Sequence, residues 1–83
     1  MVIKIQKIGE KRVSCKSNVF DLDGVSHEIF VTGENGMESK SIVTNEQLNQ
    51  GIEFDVFSSC FELKCETIYQ DQRETTFQSK FRI

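Results

Sequence analysis

Apolar and polar residues alternate with a period of two through most of this chain. That pattern predicts a mainly β fold: a small curled antiparallel sheet or partly closed barrel, with one short helix near residues 45–50. Three observations carry the prediction. In the longest alternating run, residues 52–70, Phe54, Val56 and Ser58 share one face, whereas Phe61, Leu63, Cys65, Thr67 and Tyr69 follow the opposite parity. Strand side chains repeat every two residues, so one core can hold both series only if the chain bends, bulges or turns near Ser58-Ser59-Cys60. The second observation is a pair of glycine-containing turn signals, and the third is a complete absence of proline, which leaves every strand free to form continuous ladders.

Taken in order, residues 2–8 form a first strand in which Ile3 and Ile5 alternate with Lys4 and Gln6. Gly9-Glu10-Lys11 is either a hairpin turn or a bend within one long strand. Residues 12–20 continue extended, with Val13, Cys15, Ser17 and Val19 on one face. Asp21-Leu22-Asp23-Gly24 signals a turn, since Asp side chains bond their own backbone and Gly accepts positive φ. His27, Ile29 and Val31 then alternate with Glu28, Phe30 and Thr32; with apolar members on both faces, this strand belongs in the centre of the sheet.

Gly33-Glu34-Asn35-Gly36 closes a hairpin onto residues 37–43, a polar strand suited to an edge, where Lys40 discourages aggregation. Thr44 followed three residues later by Gln47 is a capping box. With Gly51 at the C-terminal end it delimits a helix over 45–50, with Leu48 turned inward. Strands resume at Ile52, and Asp71-Gln72-Arg73 connects to residues 74–83. There Thr75, Phe77, Ser79, Phe81 and Ile83 oppose Thr76, Gln78, Lys80 and Arg82. If the first two segments are one bent strand, the layout is similar to an OB-like barrel; an SH3-like barrel is the other small closed form of this kind.

At 83 residues, with 37% hydrophobic and 28% charged content, the chain is expected to be a single β-barrel-like domain, 1–83. It has no apolar run of spanning length and no signal-peptide pattern, so the expected location is cytoplasmic, with no membrane partner. Cys15, Cys60 and Cys65 are too few and too irregularly spaced for a disulfide framework or a zinc site, and are expected as reduced thiols. The net charge of −3 is unevenly spread. The first sixteen residues hold five cations and one carboxylate; the remainder holds five cations and twelve carboxylates.

Little of this suits catalysis. His27 is the single histidine and sits on an alternating strand, where a structural role is the expectation. Asp21 and Asp23 lack the remaining ligand positions of a calcium loop, and Gly33-Glu34-Asn35-Gly36 lacks the Lys-Ser/Thr of a phosphate loop. No nucleophile elbow, zinc-protease helix or dinucleotide fingerprint occurs. The expectation is a protein that is not an enzyme and needs no metal or cofactor.

Recognition by the exterior remains. The preferred reading is a protein-binding module using Phe30, Glu53, Asp55, Glu62, Glu66 and Ile68, its carboxylates meeting a basic partner such as a nucleic-acid-handling complex. In size and composition the chain is similar to small inhibitors or adaptors of the phage and mobile-element type. The alternative is an OB-like nucleic-acid-binding protein using Lys4, Lys7, Lys11, Arg12 and Lys16. Lys80 and Arg82 would join them, and Phe20, Phe30 or Tyr69 would serve as stacking platforms. A homodimer through edge strand 38–43 is a further expectation.

Overall fold

A computed structural model describes residues 1–18 and 25–83. The expected Asp21–Gly24 turn, along with Val19 and Phe20, lies outside the described residues. The protein is mainly β, with two antiparallel sheets and one short helix. The strands are β1 (Ile3–Gly9), β2 (Arg12–Ser17), β3 (Ser26–Gly33), β4 (Glu38–Thr44), β5 (Ile52–Asp55), β6 (Cys60–Tyr69) and β7 (Gln72–Arg82); α1 is Asn45–Gln50. Sheet A has the order β1-β2-β5 and sheet B the order β4-β3-β6-β7. The strands are thus not closed into a barrel: among the described residues β1 and β7 are outer strands of separate sheets.

Residues 10–11 form a turn between β1 and β2, so the first two segments are a hairpin and not one bent strand. The capping box forms as its spacing requires. The Gln47 amide donates to Thr44 Oγ1 at 3.0 Å and the Thr44 amide donates to Gln47 Oε1 at 2.9 Å. Gly51, at φ 105°, then ends α1 and starts β5, while Leu48 is fully buried.

The parity reversal occurs between β5 and β6, where the chain leaves sheet A for sheet B. Val56 faces the core, and after the bend at 57–59 Phe61, Leu63, Cys65 and Thr67 are buried in succession. The bend is tied down at both ends. The Val56 amide donates to the carbonyl of Lys11 at 2.8 Å, and the Ile83 amide donates to the carbonyl of Ser59 at 2.9 Å. Gly33 makes room beneath it, since a Cβ there would stand 3.0 Å from Phe57 Cβ.

The inner faces of both sheets and α1 enclose one core of Ile3, Val13, Cys15, Ile29, Val31, Leu48, Val56, Phe61, Leu63 and Cys65. Phe61 stacks on Phe81 at 5.7 Å, and Phe81 lies 6.2 Å from Phe77. One strand departs from its expected face. An irregularity opposite Cys65 and Glu66 leaves Thr76 as an extra residue in β7. Thr75 is therefore exposed and pairs with Glu66, while Thr76 turns inward to Thr67 at 2.9 Å. One inserted residue reverses every side chain before it.

Candidate protein-binding face

Buried residues of β3 and β6 alternate with half-buried ones, so Ser26, Glu28, Phe30 and Thr32 and, beside them, Glu62, Lys64, Glu66 and Ile68 form the outer face of sheet B. The register adds Glu38, Lys40, Ile42 and Thr44 from β4 and Arg73, Thr75, Gln78 and Lys80 from β7. Sheet A and α1 pack against the opposite side, so among the described residues no element covers this face.

Its centre is Phe30, opposite Lys40 on one neighbouring strand and Lys64 on the other. Both ammonium groups lie over the ring, Lys64 Nζ at 4.7 Å and Lys40 Nζ at 5.6 Å from the centroid. Each such contact contributes about 0.5–1 kcal/mol at an exposed site. In the next row Arg73 Nη1 donates to Glu28 Oε1 at 2.6 Å and to Glu66 Oε2 at 2.7 Å, linking three strands. Lys64 Nζ also approaches Glu66 Oε1 at 3.4 Å. The hydrogen bond from Arg73, with Lys64 adding to it, holds the Glu66 carboxyl below the usual carboxylate range.

Lys40 pairs with Glu38 at 3.6 Å, and Gln78 donates to Glu62 Oε1 at 3.2 Å. The face thus carries Lys40, Lys64, Arg73 and Lys80 against Glu28, Glu38, Glu62 and Glu66, and its charges cancel. Beside the charged rows Ile42 is 64% exposed, a large apolar side chain on the outermost strand.

The expected binding residues are therefore divided. Phe30, Glu62, Glu66 and Ile68 share the outer face of sheet B. Glu53 and Asp55 lie on β5 in sheet A, where Arg12 meets them at 3.7 and 3.0 Å. Of the expected basic set, Arg12 is consumed in that cluster; Lys4 and Lys16 stand directly opposite each other, and Lys7 and Lys11 lie near and in the β1–β2 turn. None of these four lysines takes part in an ion pair among the described residues. Alternation alone does not place Lys40, Lys64, Arg73 and Ile42 beside Phe30, Glu28 and Glu66, because cross-strand register brings them there and register is not written in the alternation.

His27 is 0% exposed. Its Nε2 lies 2.9 Å from Asn45 Oδ1 and its Nδ1 3.0 Å from Thr67 Oγ1, which continues to Thr76. With a carbonyl oxygen at Nε2, that nitrogen carries the hydrogen and Nδ1 accepts from the threonine hydroxyl. Both ring nitrogens are thus engaged inside the protein, binding β3 to α1 and β6. Cys15, Cys60 and Cys65 are free thiols. Burial, with Cys65 adding to it, pushes Cys15 up to about 12, and burial likewise raises Cys65, so both stay protonated and unreactive in the core.

No group of three or more metal-ligating side chains occurs among the described residues, and no helix among them is long and apolar enough to cross a membrane. No protein-family model, curated protein or solved structure matches the chain.

Proposed function

We propose that this chain is a non-catalytic protein-binding module that acts by occupying a partner's surface, as a small inhibitor of the phage or mobile-element type does. The observation that supports it best is the uncovered outer face of sheet B, with Phe30 held between Lys40 and Lys64. An aromatic side chain fixed before binding loses little rotamer freedom on contact, which favours it as the anchor of an interface, with Ile42 and Ile68 as flanking apolar contacts. Because the carboxylates on this face already have cationic or amide neighbours, the partner is matched by the alternation of charges, row by row, and not by bulk acidity. In this reading the body is a partly closed barrel, OB-like or SH3-like in scale, opened along one side, and the protein works in the cytoplasm.

The test is affinity capture from host lysate with the wild-type chain and with Phe30→Ala. The expected result is one protein retained by the wild type, its affinity lowered about tenfold to a hundredfold by the variant at unchanged folding. Equal retention by both chains would sink the assignment of this face. The nucleic-acid reading keeps one observation in its favour: Lys4, Lys7, Lys11 and Lys16 make no ion pair among the described residues. Among the described residues the outer face of sheet A offers no aromatic platform beside them.

A further inference from the structure

The cations without a salt bridge among the described residues border the side on which β1 and β7, outer strands of the two sheets, face each other. Met1, just before β1, lies beside β7, with Thr76 Oγ1 3.5 Å from Met1 Sδ. Lys11, just after β1, lines the same hollow as Arg82 and Ile83 at the other end of β7. At both ends the two outer strands thus face each other in the same direction, yet they form no ladder, because among the described residues β1 pairs only with β2 and β7 only with β6. Each presents, among the described residues, a row of backbone donors and acceptors with no partner strand. The floor between them is apolar and incompletely covered: Ile5, Phe77, Phe81 and Ile83 pack against the core but are only half-buried.

The rims are basic. Lys4 lies exposed on the outer side of β1, and Lys7 shares the inward parity of Ile3 and Ile5 yet is exposed. Lys80 and Arg82 are exposed on β7. None of the four makes a salt bridge among the described residues: Glu62, opposite Lys80, takes Gln78, and Arg82 Nε donates to Cys60 Sγ at 3.3 Å, with Glu34 attracting Arg82 from across the hollow without a direct contact. Lys4 faces Lys16 directly across the β1–β2 ladder, an arrangement of like charges that costs stability and that an anion from outside would relieve.

We infer that this seam binds an extended acidic segment of another protein, added as a strand between β1 and β7. Strands that run in the same direction can both pair with one inserted strand antiparallel to each, and neighbouring strands stand about 4.8 Å apart. Alternate side chains of the inserted strand would then fall on Ile5, Phe77 and Phe81, and the others on Lys4 and Lys80. The sequence selected is thus one of alternating apolar and acidic residues, about six long. A peptide fits better than a nucleic acid, because Phe77 and Phe81 are stacked into the core and the unpaired groups at the rims are backbone amides and carbonyls. The seam follows the edges of β1 and β7; because Lys80 also belongs to the outer face of sheet B, it is protection of the β1 and β7 amides, and not the Lys80 substitution, that separates this proposal from that one.

The experiment is selection from a displayed random dodecapeptide library on the full chain. The recovered peptide, its charge-reversed copy and an oligothymidylate are then titrated by fluorescence anisotropy and amide hydrogen exchange. The expected result is enrichment of alternating apolar and acidic sequences, slowed exchange at amides of β1 and β7, and about tenfold weaker binding to the Lys4→Glu/Lys80→Glu double variant. Amide protection in the wild-type chain decides the matter if the double variant fails to fold. The inference is overturned if nothing enriches, if basic peptides enrich, if protection falls on β4 instead, or if oligothymidylate binds without protecting the strand edges.

Discussion

The outer faces of the two sheets are built by the same alternation but differ in how their charges are settled. On sheet B each carboxylate row lies next to a cation row, and Arg73 alone joins Glu28 to Glu66 across three strands. On sheet A, among the described residues, the end with Arg12, Glu53 and Asp55 is compensated, while Lys4 and Lys16 face each other without an ion pair. A settled face resembles a pre-formed docking surface, and an unsettled one resembles a site waiting for charge. Composition alone, five cations among the first sixteen residues, does not make that distinction.

The largest effect that sharpens the comparison comes from beneath sheet B. His27→Leu should lower unfolding free energy by about 2–4 kcal/mol in chemical denaturation, because it leaves Asn45 Oδ1 and Thr67 buried without their shared partner. Cys15→Ala in the inner face of sheet A, which makes no such network, should cost less. A smaller loss for His27→Leu than for Cys15→Ala would break the claim that a polar chain ties β3 to α1 and β6.

Next is Arg73→Met, which removes the common partner of two carboxylates standing opposite each other in register. The melting temperature should fall, and the Glu66 carboxyl, followed by carbon-detected NMR, should titrate at higher pH. The sign follows from linkage. A carboxyl depressed in the folded state contributes stability above its unfolded value, near the reference of 4.5, and loses it as pH falls through the folded value. Wild-type stability should therefore drop on acidification below about that reference, and Glu66→Gln should flatten that part of the curve. An unchanged acid limb in Glu66→Gln would show that the Arg73 bridge contributes nothing.

Sheet A should respond with the opposite sign. Lys16→Glu turns a like-charge pair into an attractive one and should raise the melting temperature slightly, an increment that added salt diminishes. A decrease would mean that Lys4 and Lys16 are already compensated.

The smallest effect lies in a turn. The β6–β7 hairpin turns through Gln70 at φ 52°, a conformation that disfavours side chains with a Cβ, whereas the β1–β2 turn begins at a glycine. Gln70→Gly should stabilise by about 0.5–1 kcal/mol. No gain in thermal unfolding would indicate that the cost is already met by the hairpin ladder.

Much of this architecture is legible in the chain itself. Thr44 and Gln47 specify the start of α1 through bonds three residues apart, and the parity change between Val56 and Phe61 forces the bend that moves the chain between sheets. The clustering of Phe30, Glu62, Glu66 and Ile68 on one face follows from alternation in β3 and β6. The face assigned to Thr75 did not follow, because a single extra residue in β7 is invisible without its partner strand. Glu53 and Asp55 stand apart from Glu62 and Glu66 for a similar reason: the bend places β5 and β6 in different sheets.

By itself, then, the order of residues determined the mainly β character, the helix and its caps, the inward-facing set outside the start of β7, and the place of the bend. All of these depend on a period of two or on bonds between near neighbours, which one chain segment specifies alone. Only tertiary structure decided that the strands separate into two sheets, that Lys40 and Lys64 enclose Phe30, and that Arg73 bridges Glu28 and Glu66 while Lys4 and Lys16 stand opposite each other. Those outcomes depend on pairing between residues tens of positions apart, where a shift of one residue exchanges every neighbour and with it the charge of each face.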